Sequence, residues 1–575
     1  MRKLRVGVID LVSKAPTKAL YARLMNANLA GLMPQVVAAW VEEAGHEVHY
    51  VCYTGFEDLL EELPSDTDLI FISSFSQAAQ LAYAVSNLFR TRGAVTALGG
   101  PHARCYPDDA LQYFDYVLGL TDQAIVDEVL GECAPHRPLG RQLSAETQPT
   151  YLPGVRERWK FIEPTLAKAP TKIKGVPMIA SLGCPYTCSF CIDSVVKYRP
   201  LGPDQLREDV KFLVGKVPNA FAGFHDPNFG VRFDECLGAI EEGNAGGHIR
   251  FVAESSLSLL AESRLARLRD AGFMALLPGI ESWYTLGEKS KTRRETGMDK
   301  VKAVSKHVNT ILEHVPYVQT NFVLGLDCDS GPEPFELTKR FLDITPGAFP
   351  GYSLLSAFGE AAPLNLELQK AGRVLPFPFH FQNNSQAMNV RPLNYEWIEF
   401  YDNVIDLTKY TFSWRAIARR VRGTKRSFAT WLNVVRAISS EGFGRIKYYT
   451  AVRDALKSDL SMRRFFEGET QEVPSFYVER VRRELGPFWE WLPEGALNHD
   501  PNAYLKKIGG EARRQDPAID TEPAAAAASG ERHFSRGGLQ RALLGARGRP
   551  PAGATGSPPT RRKRASAAAR CRRSP

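Results

Sequence analysis

Over the first 150 positions, short apolar runs at 4–9, 47–52, 68–73, 94–98 and 114–118 alternate with longer amphipathic stretches at 32–44 and 77–90. Apolar runs spaced by amphipathic segments are the pattern of strands covered on both faces. They predict βαβ units in a parallel, doubly wound sheet. The pattern lapses from 148 to 174, where the chain is rich in Pro, Lys and Thr, as a surface connection would be. It resumes with an apolar run at 176–180 and strands predicted at 220–224, 249–253, 273–277, 318–324 and 352–355. Between them lie helical patterns at 203–214, 233–242, 260–271, 298–312 and 334–343. From 394 to about 509 the chain is helical and aromatic-rich, with Trp397, Trp414, Trp431, Tyr448 and Trp491 at spacings that predict core positions. From 516 onward, Ala, Pro, Gly and Arg dominate and cannot bury a core, which predicts a disordered tail.

Length and composition narrow the class. With 575 residues, 44% of them hydrophobic, the chain has room for two or three domains. No apolar run approaches the ~18 residues a membrane span needs. The apolar stretch after Arg2, Lys3 and Arg5 is broken by Asp10, too early for a secretory signal, so the expected location is the cytoplasm. The net charge of +8 suggests nucleic acid until it is located. Residues 511–575 hold 14 Lys and Arg against 5 Asp and Glu, so the tail carries the excess and the body is not read as a nucleic-acid binder. Cys52, Cys105, Cys133, Cys236, Cys328 and Cys571 are scattered, unlike a disulfide framework.

The remaining cysteines are clustered in Ser181-Leu-Gly-Cys184-Pro-Tyr-Thr-Cys188-Ser-Phe190-Cys191, directly after a predicted strand. Zinc would want a fourth Cys or His nearby, yet the next His is His225. An iron–sulfur cubane held by three thiolates instead of four keeps one iron open to a cofactor. The C-x3-C-x2-C spacing between a strand and a helix resembles the signature of the radical S-adenosylmethionine (SAM) superfamily. That resemblance implies a 4Fe-4S cluster on Cys184, Cys188 and Cys191, with SAM on the open iron and Phe190 beside the adenine. It also implies a partial (β/α)6 barrel built from the second set of strands.

Residues at the C-terminal strand ends are then the site candidates. The resemblance places Asp226 and Asn228, in His225-Asp-Pro-Asn-Phe-Gly230, near the SAM amine. An Asp-Pro-Asn turn kept for its backbone geometry is the alternative. Glu254 and Ser256 end strand three, Glu281 ends strand four in Gly-Ile-Glu-Ser, and Gly325 allows close approach of the adenine. No catalytic residue is assigned beyond the cluster. The first sheet, with Gly99-Gly-Pro-His-Ala103, resembles the cobalamin-binding domain found ahead of many radical SAM barrels. Ser73, Ser74, Gly99, Gly100, His102 and Gly119 are the corresponding contacts. The lower-face motif D-x-H-x-x-G is missing, because the first turn reads Asp10-Leu-Val-Ser-Lys-Ala15.

The expected class is therefore α/β: a doubly wound, Rossmann-like sheet over 1–147, a linker over 148–174 and a radical SAM core over 175–394. A helical region over 395–510 and a disordered basic tail over 511–575 follow. The implied activity is reductive SAM cleavage to a 5′-deoxyadenosyl radical, used for cobalamin-dependent C-methylation. The alternatives are a radical SAM oxidoreductase or cyclase and a non-catalytic cobalamin or SAM sensor. The implied partners are a small-molecule substrate and an electron donor such as flavodoxin or ferredoxin.

Overall fold

Six parallel strands form the first sheet in the order β2-β1-β3-β4-β5-β6: β1 (Arg5–Leu11), β2 (Glu47–Tyr53), β3 (Leu69–Ser73), β4 (Val95–Gly99), β5 (Tyr116–Leu118) and β6 (Arg141–Leu143). Alternate side chains serve opposite faces, as the period of a strand dictates. Val6 and Val8 pack with Trp40 of helix Leu32–Glu43, while Ile9, Ile70 and Ile72 join Leu81 and Val85 of helix Ala79–Arg90. Strand order reverses at β1, which lies between β2 and β3. Connections leave it toward both faces and open a crevice at the C-terminal edge.

The second sheet is also all parallel, in the order β14-β13-β12-β11-β10-β7. Its strands are β7 (Gly175–Met178), β10 (Phe221–Phe224), β11 (Arg250–Ser256), β12 (Phe273–Glu281), β13 (Tyr317–Leu324) and β14 (Phe349–Leu354). The edges β7 and β14 do not pair with each other, which is the open (β/α)6 arrangement. Helices including Trp397–Thr411, Phe443–Ser458 and Ser475–Leu485 follow.

The chain is described by a computed structural model covering residues 2–508, apart from 134–139, 171–172, 285–294, 384 and 425–426. These residues belong to one contact unit, Met1–Asp516. The predicted disordered tail lies outside the described residues. No single described helix is long and apolar enough to cross a membrane. One bent pair, Leu20–Leu29 with Leu32–Glu43, passes by length and composition, but the second member is mostly buried under the first sheet.

Three features depart from the expectations. The stretch read as a surface connection holds helix Val155–Lys168, which buries Val155, Phe161, Ile162 and Leu166. A buried Arg158 on that stripe and Pro164 within it hide the apolar period. The Arg158 guanidinium donates to Gln35 Oε1 (2.8 Å) and to the carbonyl of Pro153 (3.0 Å), so its buried N–H groups find neutral acceptors, while burial pulls its pKa down to about 10. A sixth strand, β6, joins the first sheet. Among the aromatic positions expected in the core, Trp397 and Tyr448 are buried, whereas Trp414 is 69% exposed and Trp431 and Trp491 are partly exposed.

Candidate active site

The three-cysteine loop is clasped at its base by a two-stranded antiparallel ladder, β8 (Ser181–Leu182) on β9 (Arg199–Pro200). Gly183 makes the first turn with φ +67°, and a Cβ there would sit 2.5 Å from the carbonyl oxygen of Lys197. Only glycine fits so close an approach. Within the loop, Cys184 N donates to Val196 O (3.3 Å) and Cys191 N to Cys188 O (3.0 Å). Cys184 is buried; Cys188 and Cys191 are half-buried. Among the described residues, no three His, Cys, Asp or Glu side chains converge as one metal ion would require. The donor set is instead three thiols spread along one clasped loop, which suits a cluster that takes one ligand per iron.

Asp226, after β10, is spent on holding this loop. Its carboxylate accepts from Ala180 N (2.9 Å) and Ser181 Oγ (2.6 Å), and burial pushes its pKa up to about 6. Asn228 Oδ1 accepts from Ser256 N (2.8 Å), which leaves its buried Nδ2 without an acceptor. What Asn228 offers a ligand is a donor, suited to a carboxylate rather than to an ammonium. Ser256 Oγ meets Ser258 Oγ (3.0 Å), which meets Tyr186 OH of the cysteine loop (3.1 Å). Glu254 is exposed, and its carbonyl accepts from Phe229 N (2.8 Å).

Glu281 has φ +65°, one of two non-glycine residues among those described with positive φ, where the register of β12 on β13 slips. Gly325 also has positive φ, and a Cβ there would meet Phe400 (2.9 Å) and Met388 (3.0 Å). Its smallness lets Phe400 and Met388 pack against the backbone.

Two cavities flank the cysteine loop. The first, about 310 Å³, lies at the C-terminal edge of the first sheet, with Asp10, Ser73, Gly99, Gly100 and Gly119 on one wall. Leu182, Gly183, Asp193 and Val196 of the cysteine loop are among the residues that face them. A Cβ built at Gly99 meets nothing within 4 Å, so at that position bare backbone faces the cavity. Ser74 and His102 do not line it. His102 is fully buried, with Tyr83 OH 2.6 Å from its Nε2 and the Phe379 ring 4.6 Å away. Burial pulls its pKa down to about 3. It is the second residue of the helix Pro101–Cys105, and its ring turns back onto Tyr83 of helix Ala79–Arg90.

The second cavity, about 420 Å³, brings Phe190 and Cys191 together with Glu281, Val323 and Ser353 at the strand ends, and with Gln382 and Asn383. Phe75 and Pro101 belong to both cavities, and Phe75 is 59% exposed. Asp226, Asn228, Glu254, Ser256 and Gly325 line neither cavity. The sequence reading missed Phe75 and Arg104. The first follows Ser73-Ser74 and the second follows Gly99-Gly100, so a scan of both turns extended by a few residues reaches them.

The Radical SAM superfamily matches this chain over residues 178–328. The bacteriochlorophyllide d C-12(1)-methyltransferase of Chlorobaculum tepidum is 24% identical over 380 residues, covering 64% of this chain and 80% of its own length. The C-8(2)-methyltransferase of the same organism is 24% identical, covering 65% and 83%. The hopanoid C-2 methylase of Rhodopseudomonas palustris is 24% identical, covering 54% and 58%. In fold, the chain is similar to the radical SAM methyltransferase TsrM of Kitasatospora setae, solved with tryptophan and a SAM analogue. The TM-score is 0.50 at 13% identity, covering 79% of this chain and 100% of that one. It is likewise similar to the cobalamin-dependent radical SAM enzyme OxsB, with a TM-score of 0.51 at 12% identity, covering 90% and 82%. The clasped cysteine loop and the open parallel barrel behind it, taken with these matches, mark residues 178–328 as a radical SAM domain and the chain as an enzyme.

Proposed function

We propose that this enzyme methylates an unactivated carbon of a small molecule by cobalamin-dependent radical SAM chemistry. Cys184, Cys188 and Cys191 would hold a 4Fe-4S cluster, which would supply the electron for SAM cleavage, and the first cavity, with Ser73, Gly99, Gly100 and Gly119 on its wall, would hold a corrinoid as the source of methyl-transfer chemistry. The single observation that carries the reading is that the two cavities share the wall formed by Phe75 and Pro101, with the cysteine loop bordering both. A methyl carrier in one and a substrate in the other would lie next to each other, close to the cluster.

The chain's own residues provide the setting. Asp226 fixes the start of the loop, and Tyr186 with Ser258 fixes its middle. Glu281, on the wall of the second cavity, would supply an acceptor for SAM. Apart from Glu281, the described side chains on the second cavity are uncharged, and Gln382 and Asn383 offer amides to a polar group on the substrate. Phe75, Phe190 and Phe358 give it apolar walls that exclude water from a reactive radical. The electron donor would be a flavodoxin or ferredoxin, and the location the cytoplasm.

Anaerobically reconstituted protein, given dithionite and SAM, should yield 5′-deoxyadenosine and retain hydroxocobalamin through desalting. With methyl-deuterated SAM, and bacteriochlorophyllide d and a hopanoid as first substrates because the curated relatives act on them, a product heavier by the labelled methyl is expected. Full turnover without corrinoid would replace methyl transfer by an oxidoreductase or cyclase reaction. Absence of 5′-deoxyadenosine would leave only a sensor.

A further inference from the structure

Arg104 sits on the short helix Pro101–Cys105 that follows the Gly99-Gly100 turn of the first sheet, and its side chain crosses to the cysteine loop. Its guanidinium donates to the carbonyl of Ile192 (2.7 Å) and to Asp193 Oδ1 (3.3 Å). Ile192 directly follows Cys191, whose carbonyl accepts from Ser194 N (3.3 Å) and Ser194 Oγ (2.8 Å) in a tight turn. Arg104 and Asp193 line the first cavity, whereas Cys191 and Ile192 line the second. One side chain thus touches the wall of one cavity and the turn that shapes the other.

We propose that Arg104 is a positioning residue that couples occupancy of the first cavity to the geometry of the Cys191 turn, so that a bound corrinoid tightens the binding of SAM. This rests on the function proposed above. A corrinoid pressing on Arg104 and Asp193 would select one arrangement of the turn, and the fork of the guanidinium, with two donors on two acceptors, transmits it. By linkage the two ligands must then raise each other's affinity by the same factor.

The test is equilibrium dialysis of SAM against anaerobically reconstituted protein, with and without saturating hydroxocobalamin. In the unaltered chain SAM affinity should rise about fivefold or more on corrinoid loading, at the low end of common couplings. In R104Q that ratio should fall to about one, and R104K should recover part of it. A merely structural role would weaken SAM binding equally in both states and leave the ratio intact, which overturns the proposal. So does a ratio of one in the unaltered chain. Should R104Q fail to fold, D193N removes the partner carboxylate and must lower the ratio too. If the unaltered protein takes up no hydroxocobalamin at all, the methyl-transfer reading falls together with this one; uptake without coupling sinks this one alone.

Discussion

At Glu281 the backbone lies in the left-handed region, which costs a residue with a Cβ on the order of 1–2 kcal/mol and persists only where the surroundings impose it. Here the slip of β12 on β13 imposes it, and the carboxylate folds back over Gly279, whose added Cβ would lie 2.3 Å from Oε1. The far end of a side chain moves more cheaply than backbone, so Gly279→Ala should shift the melting temperature little while displacing the carboxylate. If Glu281 accepts from SAM, both G279A and E281A should weaken SAM binding about tenfold, the worth of one hydrogen bond to a charged group. Dialysis that finds both unchanged removes Glu281 from the SAM site. Asp10, on the first cavity, makes a prediction about pH. It accepts from Gly31 N (2.5 Å), but burial outweighs this and raises its pKa from 3.8 to about 6. The folded state therefore holds that proton more tightly than the unfolded state, and stability from this group is lost as pH rises through about 4 to 6. Asp10→Asn should match the unaltered chain near pH 4 and gain on it toward pH 7, by up to ~3 kcal/mol. Parallel melting curves across that range check it, and a constant difference refutes it.

The elements that carry the site differ in how openly the sequence declares them. A buried parallel strand such as β3 is a continuous apolar run, and β13 shows itself by the apolar ends that flank Gln319-Thr-Asn321, so the main strands of both sheets were legible, as was the cysteine spacing. The clasp β8–β9 was not: two-residue strands carry no period, and their pairing spans a loop whose shape depends on Gly183. The helix Val155–Lys168 was hidden because Arg158 occupies a core position made tolerable by acceptors on Gln35, Pro153 and Pro177, which the sequence pattern does not reveal. Asp226 and Asn228 were located, but their hydrogen-bond partners in β11 and in the stretch after β7 decide what they offer, and spacing does not show partners. His102 does not line the first cavity, because a helix start fixes the backbone and not the direction of the ring. The clasp gives the test at this scale. Gly183→Ala leaves all three thiols in place but drives a Cβ into the Lys197 carbonyl, so iron and sulfide retained after reconstitution should fall severalfold, as they would in C184A. Retention equal to the unaltered chain would mean that the cluster does not need the clasp.

Across the whole folded body, one polar knot joins the parts that surround the second cavity. Lys14, from the loop after β1, donates to the carbonyl of His380 (2.8 Å) and to Gln386 Oε1 (2.8 Å). It also lies 3.6 Å from Glu484 of the helix Ser475–Leu485. His380 Nε2 meets the same carboxylate at 2.7 Å, and Arg480 donates to its other oxygen at 2.8 Å. Gln382 and Asn383, on the cavity wall, lie two and three residues further along the chain from His380. Hydrogen bonding to His380 and the charge of Lys14 outweigh burial and hold the Glu484 carboxyl well below its usual range. A depressed folded-state pKa contributes stability that is present above about 4.5 and lost as pH falls through the folded value. Removing one member of such a knot leaves the others buried and uncompensated, at about 3 kcal/mol. Glu484→Gln should therefore lower the melting temperature at pH 7, and its deficit should shrink as pH falls below about 4. The double variant K14M/E484Q should lose less than the sum of the two singles, because it removes opposite charges together. Strictly additive losses would show that Lys14 and Glu484 hold their elements independently, and that the wall carrying Gln382 and Asn383 is positioned by apolar packing alone.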